Sequence, residues 1–434
     1  MFRPRPGRSF SVVHMFLNMR WGRRQKTIAM ILVCIGAFCY YQMFVKYFLQ
    51  SQLMKTNLED PRFNGFDKCP ACFGTSLCED INNRNLRFTS YSRIRLFDLI
   101  NIKNVFEGVY MDKEVVLKRL GHNSEWRESD AALCESAGLE PPLCKVSSAA
   151  YKSKLAKLNR RDGVLADDVK DLSDVVRCPS QRLLDRIWSS YKKNLGHPTE
   201  SVSPEEKMML MMALSFNPEP VLAQMFPASE GWPFPAYLGA CGRFIVMDNI
   251  GSSLLEYYEA PWSVRVDLAY QAFAIAHQFT NNEDEYALYM TDIIYDNFAV
   301  TKDGQLKLID LENVIVVDKR KIREDKPYGW DEKLESAHDD CTDTPNCLSF
   351  STDDLCTHLE ADHNYYAVCH GLLGSDVIMH GKPFGLLTNI PSSLKESDEL
   401  EKLVNECQKP SEKYGRFTTA PQLLALLQRL SNRI

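Results

Sequence analysis

Asp292, Asn297 and Asp310 are the residues of this chain whose types and spacing most readily do chemistry. They lie in "YMTDIIYDNFAV" and "QLKLIDLEN". Asn297 follows Asp292 by five positions and Asp310 follows Asn297 by thirteen. Between them run a short apolar stretch, Phe298-Ala299-Val300, a turn at Lys302-Asp303-Gly304, and a second apolar stretch from Leu306 to Ile309. The predicted carrier is therefore a loop followed by a hairpin. Two carboxylates and an amide held this way suit phosphoryl transfer. Asp292 would orient an attacking hydroxyl and take its proton. Asn297 and Asp310 would hold the Mg²⁺ or Mn²⁺ that neutralises a triphosphate such as ATP. An Asp at a strand end and an Asn beside a turn are also common in ordinary hairpins, so the elements upstream must decide.

Those elements come in a telling order. Val115, Val116 and Leu117 form an apolar run ending at Lys118, with Val105 to Tyr110 as partner strand and Met111 to Glu114 as the turn. Lys118 is the expected partner of the α- and β-phosphates. Gly108, in "VFEGVY", is the glycine placed where a phosphate-covering loop would run, although no GxGxxG is present. "SPEEKMMLMMALSF" predicts a helix with Ser203 as cap, Pro204 in the first turn, and Glu205 and Glu206 at its positive end. Asn217-Pro218 stops it. Glu206 is read as the residue that holds Lys118. Arg243 to Met247 predicts a strand leading to a hinge over 246–252, with Met247 against the nucleotide. In "APWSVRVDLAYQAFAIAHQFTNN", Val264, Leu268, Ile275 and Phe279 recur at helical spacing and predict a core-facing stripe. Lysine hairpin, acidic helix, hinge strand, long helix, Asp-x4-Asn loop, metal Asp is the order of a protein kinase. The expected fold is α+β and two-lobed, with a small mixed N-lobe over 67–245 and a helical C-lobe over 253–434. An insert of about 121–202 separates Lys118 from the acidic helix. Within it "KLAKLNRRDGVLADDVKDLSD" reads as a mobile surface loop and "CPSQRLLDRIWSSYKK" as a helix.

Residues 27–45, "TIAMILVCIGAFCYYQMFV", carry no charge. At ~1.5 Å per residue they reach the thickness of the bilayer hydrocarbon. The 26 residues before them hold seven basic groups and no acidic one. The expectation is a signal anchor with a cytosolic tail and a stalk over 46–66; a cleaved signal peptide is the competing reading. The chain has 51 Lys and Arg against 57 Asp and Glu, so the part beyond the basic tail carries a formal charge of −13. That argues against nucleic acid as a partner. Of 14 cysteines, 12 lie beyond the apolar segment. An oxidising lumen would pair them, in a connectivity the spacing leaves open. Cys69-x2-Cys72 has the spacing of a zinc knuckle or a redox pair, but without a second CxxC a structural disulfide is the better reading.

"KCPACFGTS", "RIRLFDLINIKNV", "VVLKRLG", "CPSQRLLDR", "FNPEP", "YLGACGR", "DNFAV", "DHNYYAVC" and "KYGRF" together resemble the divergent protein-kinase-domain proteins of the secretory pathway, in their type-2 branch. The resemblance runs from Cys69 nearly to the C-terminus. It implies a kinase-like fold in a Golgi-associated or secreted, disulfide-rich protein. It carries the phosphate lysine to Lys118, the catalytic-loop pair to Asp292 and Asn297, the metal carboxylate to Asp310, and the helix glutamate to Glu206. The chain departs from the usual kinase pattern at the glycine loop, at Met290-Thr291 before Asp292, and at Leu311-Glu312 after Asp310. Two function classes follow: a lumenal kinase using ATP and a divalent metal on a lumenal or extracellular acceptor, or a pseudokinase serving as a secreted ligand or binding module. A thiol oxidoreductase built on Cys69 and Cys72 is a remote third.

Overall fold

The structure is a computed structural model. It describes residues 58–89, 104–140, 143–158, 163–169, 172–195, 201–337, 348–374, 378–379 and 382–431, with a few positions between 32 and 41. The chain divides into two compact units, and the one comprising Leu58–Ser92 and Asn101–Ile434 carries every residue discussed below. No helix among the described residues is long and apolar enough to cross a membrane. The spanning helix expected over 27–45 falls for the most part outside those residues.

The strands around the site are β1 (Leu86–Phe88), β2 (Val105–Tyr110), β3 (Lys113–Arg119), β4 (Tyr237–Cys241), β5 (Phe244–Asp248), β6 (Ser252–Ser253), β7 (Tyr286–Met290), β8 (Phe298–Val300), β9 (Leu306–Leu308) and β10 (Val314–Asp318), with four two-residue strands later in the described chain. The helices that bear on the site and core are α1 (Asn123–Ser136), α2 (Gln181–Asn194), α3 (Pro204–Phe216), α4 (Glu219–Met225), α5 (Trp262–Thr280), α6 (His363–Val368), α7 (Ser397–Gln408) and α8 (Gly415–Leu430). The first five strands form one antiparallel sheet in the order β1-β2-β3-β5-β4. Further on, β6, β8 and β9 make a three-stranded sheet, and β7 pairs with β10.

Strand alternation assigns the faces of the large sheet. On β3, Val115 and Leu117 are buried in a cluster with Leu86, Phe88, Phe106 and Phe244, so Val116 and Lys118 face the other way. The β2–β3 turn is two residues long, not four. Met111 and Asp112 both have positive φ, 47° and 65°, the geometry of a tight hairpin matched to strand twist. That turn sets Val105 opposite Lys118 and Gly108 opposite Val115. Gly108 therefore shares the core face.

Two expectations change here. The stretch read as a stalk up to residue 66 is packed from Leu58 onward. Leu58 and Asn64 are buried, Asn64 accepts the Arg243 amide, and Phe63 lies against Phe88, Phe106 and Phe244. The sheet's outer face is aromatic and must be covered from somewhere. The charged stretch read as a mobile loop contains two short helices, Leu155–Leu158 and Ala166–Val169, and buries Val164 and Val169 in the main core. Its apolar residues are few but sit where they can pack. On α5, Leu268, Ile275 and Phe279 are buried as expected, whereas Val264, near the helix start, is exposed.

Disulfides join Cys69 to Cys72, Cys78 to Cys241, Cys134 to Cys144, Cys178 to Cys356 and Cys369 to Cys407. The Cys178–Cys356 bond ties the insert to the helical part. Beside it, Arg182 at the start of α2 grips the Asp318 carboxylate through Nε at 3.0 Å and through Nη2, donates to the Asp284 carbonyl, and stacks 3.8 Å from the Tyr286 ring.

Candidate functional site

A cavity of about 490 Å³ is lined by β2, β3, β5 and the loops around β8 and β9. Lys118, Met247, Asp292, Asn297 and Asp310 all line it. Alternation on β3 aims Lys118 into it, and β5, paired to β3, puts Met247 beside Val116. The chain then leaves β5 through Asn249, Ile250 and Gly251, which also line the cavity.

The loop between β7 and β8 delivers Asp292 and Asn297. The Asn297 amide donates to Asp292 Oδ2 at 3.1 Å and to the Asp292 carbonyl at 3.3 Å. The Ile309 amide donates to the Asn297 carbonyl at 2.8 Å, which brings Asp310 alongside. The loop's origin is anchored from α6: His363 Nε2 donates to the Met290 carbonyl at 2.9 Å, and the Met290 amide donates to Asn364 Oδ1 at 3.0 Å. Thr291 Oγ1 donates to the Asn313 carbonyl at 2.6 Å. The two residues that depart from the usual His-Arg are thus held through their backbone and a hydroxyl.

Lys118 Nζ sits 2.7 and 2.8 Å from the two carboxylate oxygens of Glu219. It is also 3.3 Å from Asp310 Oδ1 and 3.3 Å from the Ile309 carbonyl. Glu219, not Glu206, is the lysine's partner, which corrects the expectation. Glu206 closes a capping box at the start of α3: its carboxylate accepts the Ser203 amide at 2.8 Å, and its own amide donates to Ser203 Oγ at 3.2 Å. Glu206 is the third residue of α3, so at ~1.5 Å per residue it lies roughly 15 Å of helix away from the end that leads to Glu219. The overlooked signal was "FNPEP". A glutamate set between two prolines in an apolar run, here with 0% of its surface exposed, requires a buried cation. Gly108 does not line the cavity either. A Cβ there would come within 2.3 Å of Leu117 Cδ1 and 2.9 Å of the Arg87 carbonyl. Its smallness serves the packing of three strands, not the covering of a phosphate.

The cluster is unbalanced. One ammonium faces Glu219, Asp310 and, two residues on, Glu312, which accepts from Asn217 Nδ2 at 2.5 Å. Burial alone would lower the Lys118 pKa, but these three carboxylates raise it above its ordinary value. Burial raises Glu219 above the carboxylate range; Lys118 opposes the rise, and Asp310 and Glu312 add to it. Glu312 is raised too, by burial first and then by Asp310. Contacts of 2.7 and 2.8 Å from one ammonium to both carboxylate oxygens are those of an ion pair. We therefore take Lys118 as charged and assign the cluster's reluctance to ionise to Glu219 and Glu312, both raised by burial.

Among the described residues, no group of three or more His, Cys, Asp or Glu side chains is placed to hold a metal ion alone. Asn297 and Asp310 form the partial oxygen set that suits Mg²⁺, which keeps waters and takes phosphate oxygens as its remaining ligands. Surplus negative charge beside them favours a divalent cation.

Comparison with known proteins agrees with this architecture. Residues 211–410 match the family model described as "Protein-kinase domain of FAM69". Divergent protein kinase domain 2A of Xenopus tropicalis is 44% identical over 394 residues, covering 88% of this chain and 91% of its own length. The Homo sapiens protein of that name is 43% identical over 397 residues, 89% and 92% of the two chains. Divergent protein kinase domain 2B of Bos taurus is 33% identical over 268 residues, 59% and 61%.

Proposed function

The chain belongs to the divergent protein kinase domain family, and from that membership and the cleft we propose that it binds ATP with Mg²⁺ or Mn²⁺ and transfers the γ-phosphoryl group to a hydroxyl of a lumenal or extracellular acceptor. One observation carries the reading: Lys118, Asp292, Asn297 and Asp310, from separate parts of the chain, line one cavity, and Glu219 holds the lysine. Bound there, the metal would neutralise the charge that develops on the transferred group. Asn297 and Asp310 would hold it, Lys118 would pair with the phosphates, and Asp292 would orient the hydroxyl and accept its proton. Met247 and the Asn249–Gly251 stretch would face the base. The disulfides favour an oxidising compartment, and we place the protein in the secretory pathway, in the Golgi or secreted.

A second reading, a pseudokinase acting as a binding module or secreted ligand, is favoured by Gly108, which is spent on packing. Thermal melting with ATP and Mn²⁺, followed by transfer of labelled phosphate, separates the two. The kinase reading expects a rise in melting temperature that is lost in Asp310→Ala, because binding to the native state alone stabilises it. It also expects Asp292→Ala to bind but not transfer. A shift without transfer by the native chain favours the binding module; no shift at all overturns nucleotide binding.

A further inference from the structure

Asn217 is 5% exposed and uses both ends of its amide. Its Nδ2 donates to Glu312 Oε2 at 2.5 Å, and its Oδ1 accepts from the Glu219 amide at 3.0 Å. Glu219 opens α4 and holds Lys118; Glu312 lies two residues beyond Asp310, on the loop that carries the metal carboxylate. One side chain thus spans the element holding the phosphate lysine and the loop holding the metal ligand. Lys118 closes the circuit, touching Glu219 and Asp310 at once. Asn217, Glu219 and Glu312 all line the same cavity.

We propose that Asn217 and Glu312 form a polar latch that sets the distance between the lysine–glutamate pair and the metal carboxylate, making both positioning residues for the metal-bound triphosphate. The inference rests on the nucleotide reading above. The chemistry of the latch is specific. Asn217 must donate on one side and accept on the other, a task an aspartate cannot do because it has no donor. Glu312 need only accept, a task the amide oxygen of glutamine also performs. The latch stands where the usual kinase pattern has a glycine, which could not reach Asn217. A buried hydrogen bond that is lost leaves its partner unsatisfied, so either member alone should account for most of the effect.

The test is a double-mutant cycle on the purified full chain, read in two ways. Melting without ligand measures the coupling of Asn217 and Glu312. Calorimetric affinity for Mn²⁺ with a non-hydrolysable ATP analogue, at a temperature where every variant is folded, measures positioning. We expect Asn217→Ala and Glu312→Ala each to weaken analogue binding about tenfold, and the double variant to weaken it no further. Asn217→Asp should be at least as damaging as Asn217→Ala. Glu312→Gln should bind within about threefold of the native chain, because it keeps the acceptor. Additive losses in the double variant overturn the latch, as does a Glu312→Gln as impaired as Glu312→Ala, which would make the charge the working part. Lowered melting temperatures with unchanged affinity overturn positioning and leave a merely structural bond. If the native chain binds no analogue while the melting cycle still shows coupling, the nucleotide reading falls and the hydrogen bond stands.

Discussion

Two buried ion clusters in this molecule are built on opposite principles. Around Arg416, every charge is matched. Its Nη1 donates to Asp362 Oδ2 at 2.6 Å and to the Ser336 carbonyl at 3.0 Å, and its Nε donates to the Cys407 carbonyl at 2.6 Å. The second Asp362 oxygen accepts the Ser336 amide at 2.8 Å. Arg416 is 2% and Asp362 0% exposed. Around Lys118, three carboxylates crowd one ammonium beside an open cavity, and two of the three are pushed above their ordinary pKa by burial. A saturated cluster joins the Ser336 segment, the start of α6, the end of α7 and the start of α8. An unsaturated one keeps surplus charge where a cation can answer it. Buried pairs perturb pKa values for structural reasons as well, as burial does for Asp362; the charge imbalance and the cavity are what set the Lys118 cluster apart.

The largest effect should come from breaking the matched cluster. Arg416→Ala leaves the Asp362 carboxylate buried without its cation and should cost about 3 to 5 kcal/mol in urea unfolding. A loss below 1 kcal/mol would mean that the cluster is not closed as described.

The unmatched cluster should respond with the opposite balance of stability and binding. Near pH 5, Glu219→Gln should change the stability of the ligand-free protein by no more than about 1 kcal/mol, because the raised carboxyl is there largely neutral and the amide matches it in shape, yet weaken Mn²⁺–ATP binding at least about tenfold by freeing Lys118. The sign of its pH dependence follows from burial. Glu219 is pushed up to about 8 in the fold. The stability it contributes is therefore present below the ordinary carboxylate range and is lost as pH rises toward 8. Urea midpoints between pH 5 and 8 should fall more steeply for the native chain than for Glu219→Gln. Parallel slopes would remove the group from the account.

Smaller effects probe the two residues that the structure moves out of the site. Gly108→Ala forces a methyl group against Leu117 and the Arg87 carbonyl and should cost about 1 to 3 kcal/mol, with unchanged nucleotide affinity in the fraction that folds. Affinity lost in proportion would return Gly108 to the cleft. Glu206→Ala removes half of a capping box and should cost about 1 kcal/mol, again with unchanged affinity. Glu206 and Glu219 thereby become a matched pair of controls, alike in type and separated by the length of α3.

Much of this was legible in the residues. The cap at Ser203, the stop at Asn217-Pro218, the strand at Arg243 to Met247 and the hairpin before Asp310 are local events, decided by side chains within a few positions of one another. The Gly108 result was within reach as well. Hairpin parity puts residue 108 on the face opposite Lys118, and it does so for the four-residue turn expected at Met111 to Glu114 as well as for the two-residue turn observed. Packing from Leu58 onward was harder to see, because Phe63 has a partner only once Phe88, Phe106 and Phe244 are brought to one sheet face.

Which glutamate meets Lys118, which cysteines pair and which asparagine bridges the cleft were decided by tertiary structure alone. Their partners are 101 residues apart for Lys118 and Glu219, 178 for Cys178 and Cys356, and 95 for Asn217 and Glu312. Short-range order in the chain specified helices, strands and the types of group each could present. It marked Glu219, set between two prolines, as a residue needing a buried cation but could not say which cation, because only the packed sheet and the direction of α3 bring the start of α4 to the lysine.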